Sequence, residues 1–80
     1  MTQTEAIAAV RDQRERLRID PEMPVVSAER AIVEFLADRE RPGVPEHRVA
    51  WIVEFAAASG FARVQMDDAS GKVLHVQRSA

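Results

Sequence analysis

The side chains in this sequence that could take part in chemistry are adjacent aspartates, histidines, serines and one glycine–lysine pair. Ser70-Gly71-Lys72 partly matches a phosphate-binding loop. The spacing G-x-x-x-x-G-K-S/T is absent, however, and the next residue, Val73, cannot bind magnesium. Asp68 stands three residues before Gly71, and an Asp-x-x-Gly segment is typical of a turn. We therefore interpret this segment as a turn and not as a phosphate site.

The acidic and imidazole side chains do not form a recognisable catalytic or metal-binding set. Asp67 and Asp68 are adjacent, so on a strand their side chains point to opposite sides. A calcium loop would need further oxygen ligands at regular offsets, and these are missing. His47 and His75 are far apart in the sequence, with no third ligand near either of them. We expect no metal site.

Nucleophilic catalysis finds no support in the sequence either. Neither Ser59 nor Ser70 lies in a nucleophile elbow, and the chain contains no cysteine. The sequence therefore predicts no catalytic residue and no cofactor, and a small enzyme is the least favoured class of function.

Length and composition limit the remaining classes. The chain has 80 residues, of which 46% are hydrophobic and 30% are charged, so it predicts one small globular domain. The net charge of -2 argues against a nucleic-acid partner, which needs clustered positive charge. We see neither a signal peptide nor an apolar run long enough to cross a membrane, so we expect a cytoplasmic protein with no membrane partner.

The last third of the chain predicts a β-hairpin, because two alternating segments flank the turn residues. If Asp68 faces Lys72, apolar residues meet apolar residues across the two strands. Slipping the register by one residue would mix apolar and polar side chains on one face. The predicted facing pairs are Asp68–Lys72, Met66–Leu74 and Val64–Val76.

The first half of the chain predicts two helices joined by an extended connector. Residues 1–18 contain the first helix, from Thr4 to Arg18, and residues 19–26 carry two prolines. Ser27 is a good N-cap for the second helix. The end of that helix is predicted at Arg39, Arg41 and Pro42-Gly43. Its apolar stripe consists of Ala28, Ala31, Ile32, Phe35 and Leu36.

The segment from Arg48 to Ser59 can be read as a helix or as a strand. As a helix it would be apolar almost all round, which a domain this small cannot bury. As a strand it alternates, and most of its residues from Val49 to Phe55 are β-branched or aromatic. We favour the strand, which pairs Phe55 with Ala62, Val53 with Val64 and Trp51 with Met66.

The predicted fold is therefore α+β: an N-terminal helix, then a second helix packed on a three-stranded antiparallel β-meander, with residues 27–80 forming the compact domain. The predicted core face carries Trp51, Val53, Phe55, Val64, Met66, Leu74 and Val76. The opposite face of the sheet carries Val73 together with the candidate partner-binding residues. These candidate partner-binding residues are Ile52, Glu54, Arg63, Gln65, His75 and Gln77.

Three segments of the sequence resemble the PepSY domain. They are Val26-Ser-Ala-Glu-Arg-Ala-Ile32, Ala50-Trp-Ile-Val-Glu-Phe55 and the stretch from Ala62 to Leu74, and the resemblance extends over about Val25 to Gln77. The chain departs from the family by one extra residue at Asp67-Asp68, an added N-terminal helix and no export signal. The resemblance implies a non-catalytic interaction or inhibitory module and supplies no catalytic residues.

Two functional hypotheses follow from these observations. The first is a PepSY-like module that binds a protein or peptide through its sheet, or through the open edge of its first strand. It could also form a homodimer through the first helix and Ile52. The second is a winged-helix nucleic-acid binder in which residues 45–59 are the recognition helix, with His47 and Arg48, and residues 61–78 are the wing. The conformation of Val49 to Phe55 separates them.

Overall fold

The computed structural model describes residues 1–35 and 46–79 of the chain. Two helices, α1 (Gln3–Asp12) and the single-turn α2 (Arg14–Leu17), precede four strands. The strands form one antiparallel sheet in the order β1-β2-β3-β4, so each pairs with its neighbours in sequence. The strand bounds are β1 Val25–Phe35, β2 Glu46–Ala57, β3 Gly60–Asp67 and β4 Val73–Arg78.

The predicted second helix on a three-stranded sheet is wrong, because residues 27–35 belong to strand β1. Ser27 is not an N-cap; it lies in the ladder opposite Glu54 of β2. The physical reason is the long antiparallel pairing, which runs from Val25 opposite Phe55 to Phe35 opposite Glu46. The predicted end of that helix, with Leu36 and residues 39–43, lies outside the described residues.

The strand interpretation of residues 48–59 is confirmed for the most part, since β2 spans Glu46–Ala57. All three predicted pairs between β2 and β3 are confirmed: Phe55–Ala62, Val53–Val64 and Trp51–Met66. The strand at Glu46–Ala57 therefore contradicts the recognition helix expected over residues 45–59, and the winged-helix fold that requires it. Alternating β-branched and aromatic side chains decide this segment, since they pack well on a pleated surface.

The terminal hairpin is present, but its register changes near the turn. Val64 faces Val76 as predicted. A register shift between Gln65 and Met66 then brings Val73, and not Leu74, opposite Met66. The pairing of Met66 with Leu74 is therefore wrong, and Val73 packs against the core instead of lying on the polar face.

Helix α1 takes the place that the sequence suggested for the second helix. It begins with a capping box, in which the Thr2 hydroxyl accepts from the Glu5 amide and the Glu5 carboxylate accepts from the Thr2 amide. These hydrogen bonds from Thr2 hold the pKa of Glu5 below its usual value. Ala6 and Val10 on the helix are fully buried in the core.

The core lies between α1 and one face of the sheet, which we call the helix-side face. Full burial of a side chain such as Val10 or Phe55 contributes about 1.5–3 kcal/mol. The opposite face is the open face. The buried core residues are Ala6, Val10, Ile19, Ala28, Trp51, Val53, Phe55, Ala62, Val64 and Met66.

Candidate interaction surface

The structure brings the six predicted partner-binding residues together on the open face. Because side chains alternate along a strand, these residues point away from the core formed by Trp51, Val53 and Phe55. Those on β2 and β3 are half-buried, and those on β4 are exposed. They form two rows across the sheet, Ile52–Gln65–His75 and Glu54–Arg63–Gln77.

The two charged residues among these six, Glu54 and Arg63, form an ion pair. Arg63 Nε lies 3.3 Å from Glu54 Oε1, and the two residues face each other across β2 and β3. Both side chains are more than two-fifths exposed, so this ion pair contributes only about 0–1 kcal/mol. These six residues therefore offer a mixed polar surface around Ile52, in which the one cation and the one anion are paired.

Asp67, and not the predicted Asp68, begins the turn between β3 and β4. Its Oδ2 accepts from the Ser70 amide at 2.9 Å and from the Ser70 hydroxyl at 2.7 Å. Gly71, at a φ of 72°, donates its amide to Asp67 O at 2.9 Å. The bonds from Ser70, and more weakly the Arg48 guanidinium, lower the pKa of Asp67. The Asp67 carboxylate therefore stabilises the turn by accepting these hydrogen bonds.

Asp68 has a separate role that the sequence analysis missed. Its Oδ1 accepts from the indole Nε1 of Trp51 at 2.7 Å. Trp51 is 8% exposed and belongs to the core, as predicted. A buried indole needs an acceptor, and that requirement was the available signal. The adjacent aspartates are therefore used in two different structural contacts.

The two histidines are not brought together. His47 lies in β2, where its Nε2 is 3.0 Å from Glu34 Oε1 on β1. His75 lies exposed on β4, opposite Gln65. Within the described residues, no three histidine, aspartate or glutamate side chains are grouped so that they could hold a metal ion.

Strand β1 forms one edge of the described sheet, and the sequence analysis assigned the open edge to the wrong strand. The strand over Val49 to Phe55 is β2, which lies between β1 and β3. The reason is that the additional strand formed by residues 25–35 covers the edge that β2 would otherwise have left open.

The backbone of β1 offers alternate residues to solvent. The Asp68 amide donates to Val49 O, and the Ala56 amide donates to Pro24 O, so odd residues of β2 face β3 and even residues face β1. Pairing partners in an antiparallel ladder either exchange both hydrogen bonds or none. Since Ala31 faces Ala50 and Glu29 faces Ile52, odd residues of β1 bond to β2, and even residues point to the edge.

At one end of β1, a side chain of the N-terminal helix already binds an outward-facing backbone carbonyl. Gln3 Nε2 donates to Ala28 O at 2.9 Å. Beyond Ala28, the residues that point their backbone outward are Arg30, Ile32 and Glu34, and we call these three the β1 edge. Their side chains lie on the helix-side face, and all three are exposed.

The β1 edge carries an apolar centre. Ile32 is 73% exposed, and Val49, which faces it on β2, is 44% exposed. Toward the start of β2, the described pairing with β3 ends at Ala50, so Val49 and Ile32 lie beyond it. Neither side chain belongs to the core that α1 covers. Exposed apolar side chains next to an open strand edge are typical of an interaction site.

Comparison with known proteins gives no relative: no family model, no curated protein and no solved structure matches this chain. Neither described helix is long and apolar enough to cross a membrane.

Proposed function

We propose that this chain is a small non-catalytic interaction or inhibitory module that binds a protein or peptide partner through its sheet, by addition of an extended strand to the β1 edge. The single observation that supports it best is the exposure of three successive outward-facing residues, Arg30, Ile32 and Glu34, on the edge strand β1.

The chemistry of strand addition fits this edge. Main-chain hydrogen bonds supply affinity, and pockets or patches for alternate side chains supply specificity. Here a partner's alternate side chains would meet Ile32 at the centre, with a cation at Arg30 and an anion at Glu34 on either side. The sequence Val25–Phe35 contains no proline, so each outward-facing residue of this edge has an amide that can donate to an added strand.

The resemblance to PepSY domains supports the same class of function. Its two C-terminal segments, Ala50 to Phe55 and Ala62 to Leu74, correspond to β2 and to the β3–β4 hairpin. Its first segment, Val26 to Ile32, was expected to open a helix and instead lies in β1. The proposal therefore uses this segment as an edge strand, and not as the helix that the resemblance implies.

A non-catalytic function is consistent with how the polar side chains are used. Asp67 accepts from Ser70, Asp68 accepts from Trp51, and Glu54 pairs with Arg63. Each of these groups stabilises the fold locally. The six open-face residues provide a second contact area for a folded partner, around Ile52.

The test is selection of binding peptides from a displayed library of random twelve-residue sequences. Two variants separate the backbone from the side chain: Ile32→Pro removes the outward amide, and Ile32→Ala keeps it. We expect selected peptides to shift the amide resonances of Arg30, Ile32 and Glu34, to bind Ile32→Ala with reduced affinity and to lose binding to Ile32→Pro. Peptides that bind folded Ile32→Pro as well as the natural chain would contradict the proposal.

A further inference from the structure

The side chains of the β1 edge are complementary to themselves. Read along the strand they are a cation, an isoleucine and an anion, at Arg30, Ile32 and Glu34. An antiparallel neighbour runs in the opposite direction, so a second copy presents the same three residues in reverse order. Opposite charges then face each other on both sides of a central isoleucine.

We propose that β1 pairs antiparallel with β1 of a second copy of this chain, across a two-fold axis at Ile32. This inference depends on the proposed function, because it uses the same edge and names its partner. Ile32 faces Ile32 of the second copy, and Arg30 faces Glu34 of that copy in both directions. Each of these pairs exchanges two N–H···O=C bonds.

The charges select this register over the nearby ones. A two-fold axis at Arg30 would place two arginines opposite each other, and an axis at Glu34 would place two glutamates opposite each other. Like charges directly opposite on neighbouring strands are destabilising, whereas opposite charges stabilise the pair. An axis at Ala31 would place Arg30 against Ile32 and form no ion pair. Only the axis at Ile32 pairs both charges favourably.

Local contacts agree with this register. Glu34 Oε1 already lies 3.0 Å from His47 Nε2, and a carboxylate has two oxygens, so it can accept from both His47 and the second copy's arginine. At the other end, Gln3 donates to Ala28 O, which limits the pairing to the β1 edge. The contact therefore begins beyond the helix.

The pairing also buries exposed apolar surface. On the helix-side face, the neighbouring Ile32 and Val49 of one copy would form one apolar row with Ile32 and Val49 of the other copy. The axis stands perpendicular to the sheet, so both α1 helices lie on the same side of one continuous eight-stranded sheet. Such a contact is isologous and closed, which favours a dimer over a fibre.

The test uses charge reversal and complementation, measured by sedimentation velocity over a concentration series of the full chain. In Arg30→Glu, two glutamates face each other at both pairs, and in Glu34→Arg, two arginines do. We expect each variant alone to dimerise roughly tenfold or more weakly than the natural chain. In an equimolar mixture, the glutamates of the first variant face the arginines of the second at both pairs, so the mixture should regain the natural affinity.

The matched control is Lys72→Glu, a charge reversal beside the opposite edge of the sheet, which should leave dimerisation unchanged. A monomeric natural chain at millimolar concentration, dimers insensitive to both reversals, or a mixture that stays monomeric would each overturn the proposal. Should circular dichroism show that a variant is unfolded, isotope-filtered contacts between Ile32 of labelled and unlabelled natural chains decide the question. Their absence in the dimer overturns it.

This experiment separates the dimer from the more general function. If the natural chain is monomeric but selected peptides still shift the amides of the β1 edge, only pairing with a second copy fails. If neither a second copy nor any peptide binds that edge, the proposed function fails as well.

Discussion

The two edges of the sheet differ in length, regularity and cover. Strand β1 has 11 residues and exposes Ile32 at 73%, whereas β4 has only 6 residues. The pairing of β1 with β2 has a register shift between Val25 and Ser27 and is regular from Ser27 to Phe35, whereas the shift in the β3–β4 pairing falls within the short strand β4. Beside β4, the Arg78 guanidinium donates to Leu17 O at 3.0 Å. Short and irregular edges are protected against pairing, and long regular ones are not. The comparison indicates that the sheet ends at β4 and that a further strand can be added at β1.

The two ends of β2 show the same difference in packing. Phe55 and Val53 are completely buried beneath α1, whereas Val49, in the same strand, is 44% exposed. The helix therefore stabilises only the part of the sheet where β2 pairs with β3. The remaining part of the β1–β2 ladder has backbone pairing but little apolar cover, which leaves its surface available for a partner.

The largest expected effect distinguishes the buried region from the edge. Phe55→Ala should lower the free energy of unfolding by about 3–5 kcal/mol, since it removes a fully buried aromatic side chain and leaves a cavity. Ile32→Ala should change the stability of the monomer by about 0.5 kcal/mol or less. Urea denaturation of both variants in dilute solution is the measurement, and equal losses would contradict the comparison.

Two proline variants test which amides of β1 bond to β2 and which point outward. Ala31→Pro removes an amide that bonds to β2, and should cost about 1–3 kcal/mol because its acceptor is left unpaired. Ile32→Pro removes an amide that points outward, so its cost should be clearly smaller. Thermal unfolding of the two variants at low concentration compares them. A greater loss at Ile32 than at Ala31 would show that the assignment of inward and outward residues is reversed.

On the β3–β4 side, the core residue Trp51 donates its indole N–H to Asp68. Asp68→Ala should cost about 1–3 kcal/mol, because it leaves the indole N–H of Trp51 without its acceptor. Ala69→Ser in the same turn, at an exposed position, is the control and should have little effect. Urea unfolding followed by tryptophan fluorescence measures both, and an unchanged midpoint in Asp68→Ala would contradict this role.

The smallest expected effect is a pH dependence from the turn that leads into β4. Hydrogen bonds from Ser70 lower the pKa of Asp67 in the folded chain. The corresponding stability is therefore complete above the unfolded pKa of about 3.9 and is lost as the pH falls through the folded pKa. Ser70→Ala should be less stable than the natural chain at neutral pH, and the difference should shrink in acid. A difference that grows in acid would contradict this assignment.

The sequence predicts the middle of this sheet well because local alternation and turn residues determine it. Val53, Val64 and Val76 lie in one row, and the β2–β3 pairing and the β3–β4 pairing at Val64–Val76 could be inferred from their spacing. The turn was misplaced by one residue because Asp67 and Asp68 are both suitable turn residues. Only the side-chain bonds from Ser70 and Trp51 distinguish them.

Strand β1 could not be read from its own residues. Ala28, Ala31 and Ile32 have helical spacing, and the neighbouring alanine, glutamate and arginine residues are good helix formers. Pairing with β2, which is continuous from Ser27 to Phe35, overrides this local preference. The open edge was misassigned for the same reason, because an edge is defined only when the number and order of the strands are known.

The most direct measurement is amide hydrogen exchange along β1 as a function of protein concentration. At high dilution we predict slow exchange at Glu29, Ala31 and Val33, which bond to β2, and fast exchange at the residues of the β1 edge. At high concentration the Ile32 amide should become protected as well. Uniform protection along the segment at high dilution, or fast exchange of Ile32 at every concentration, would contradict an open edge that pairs with a second copy.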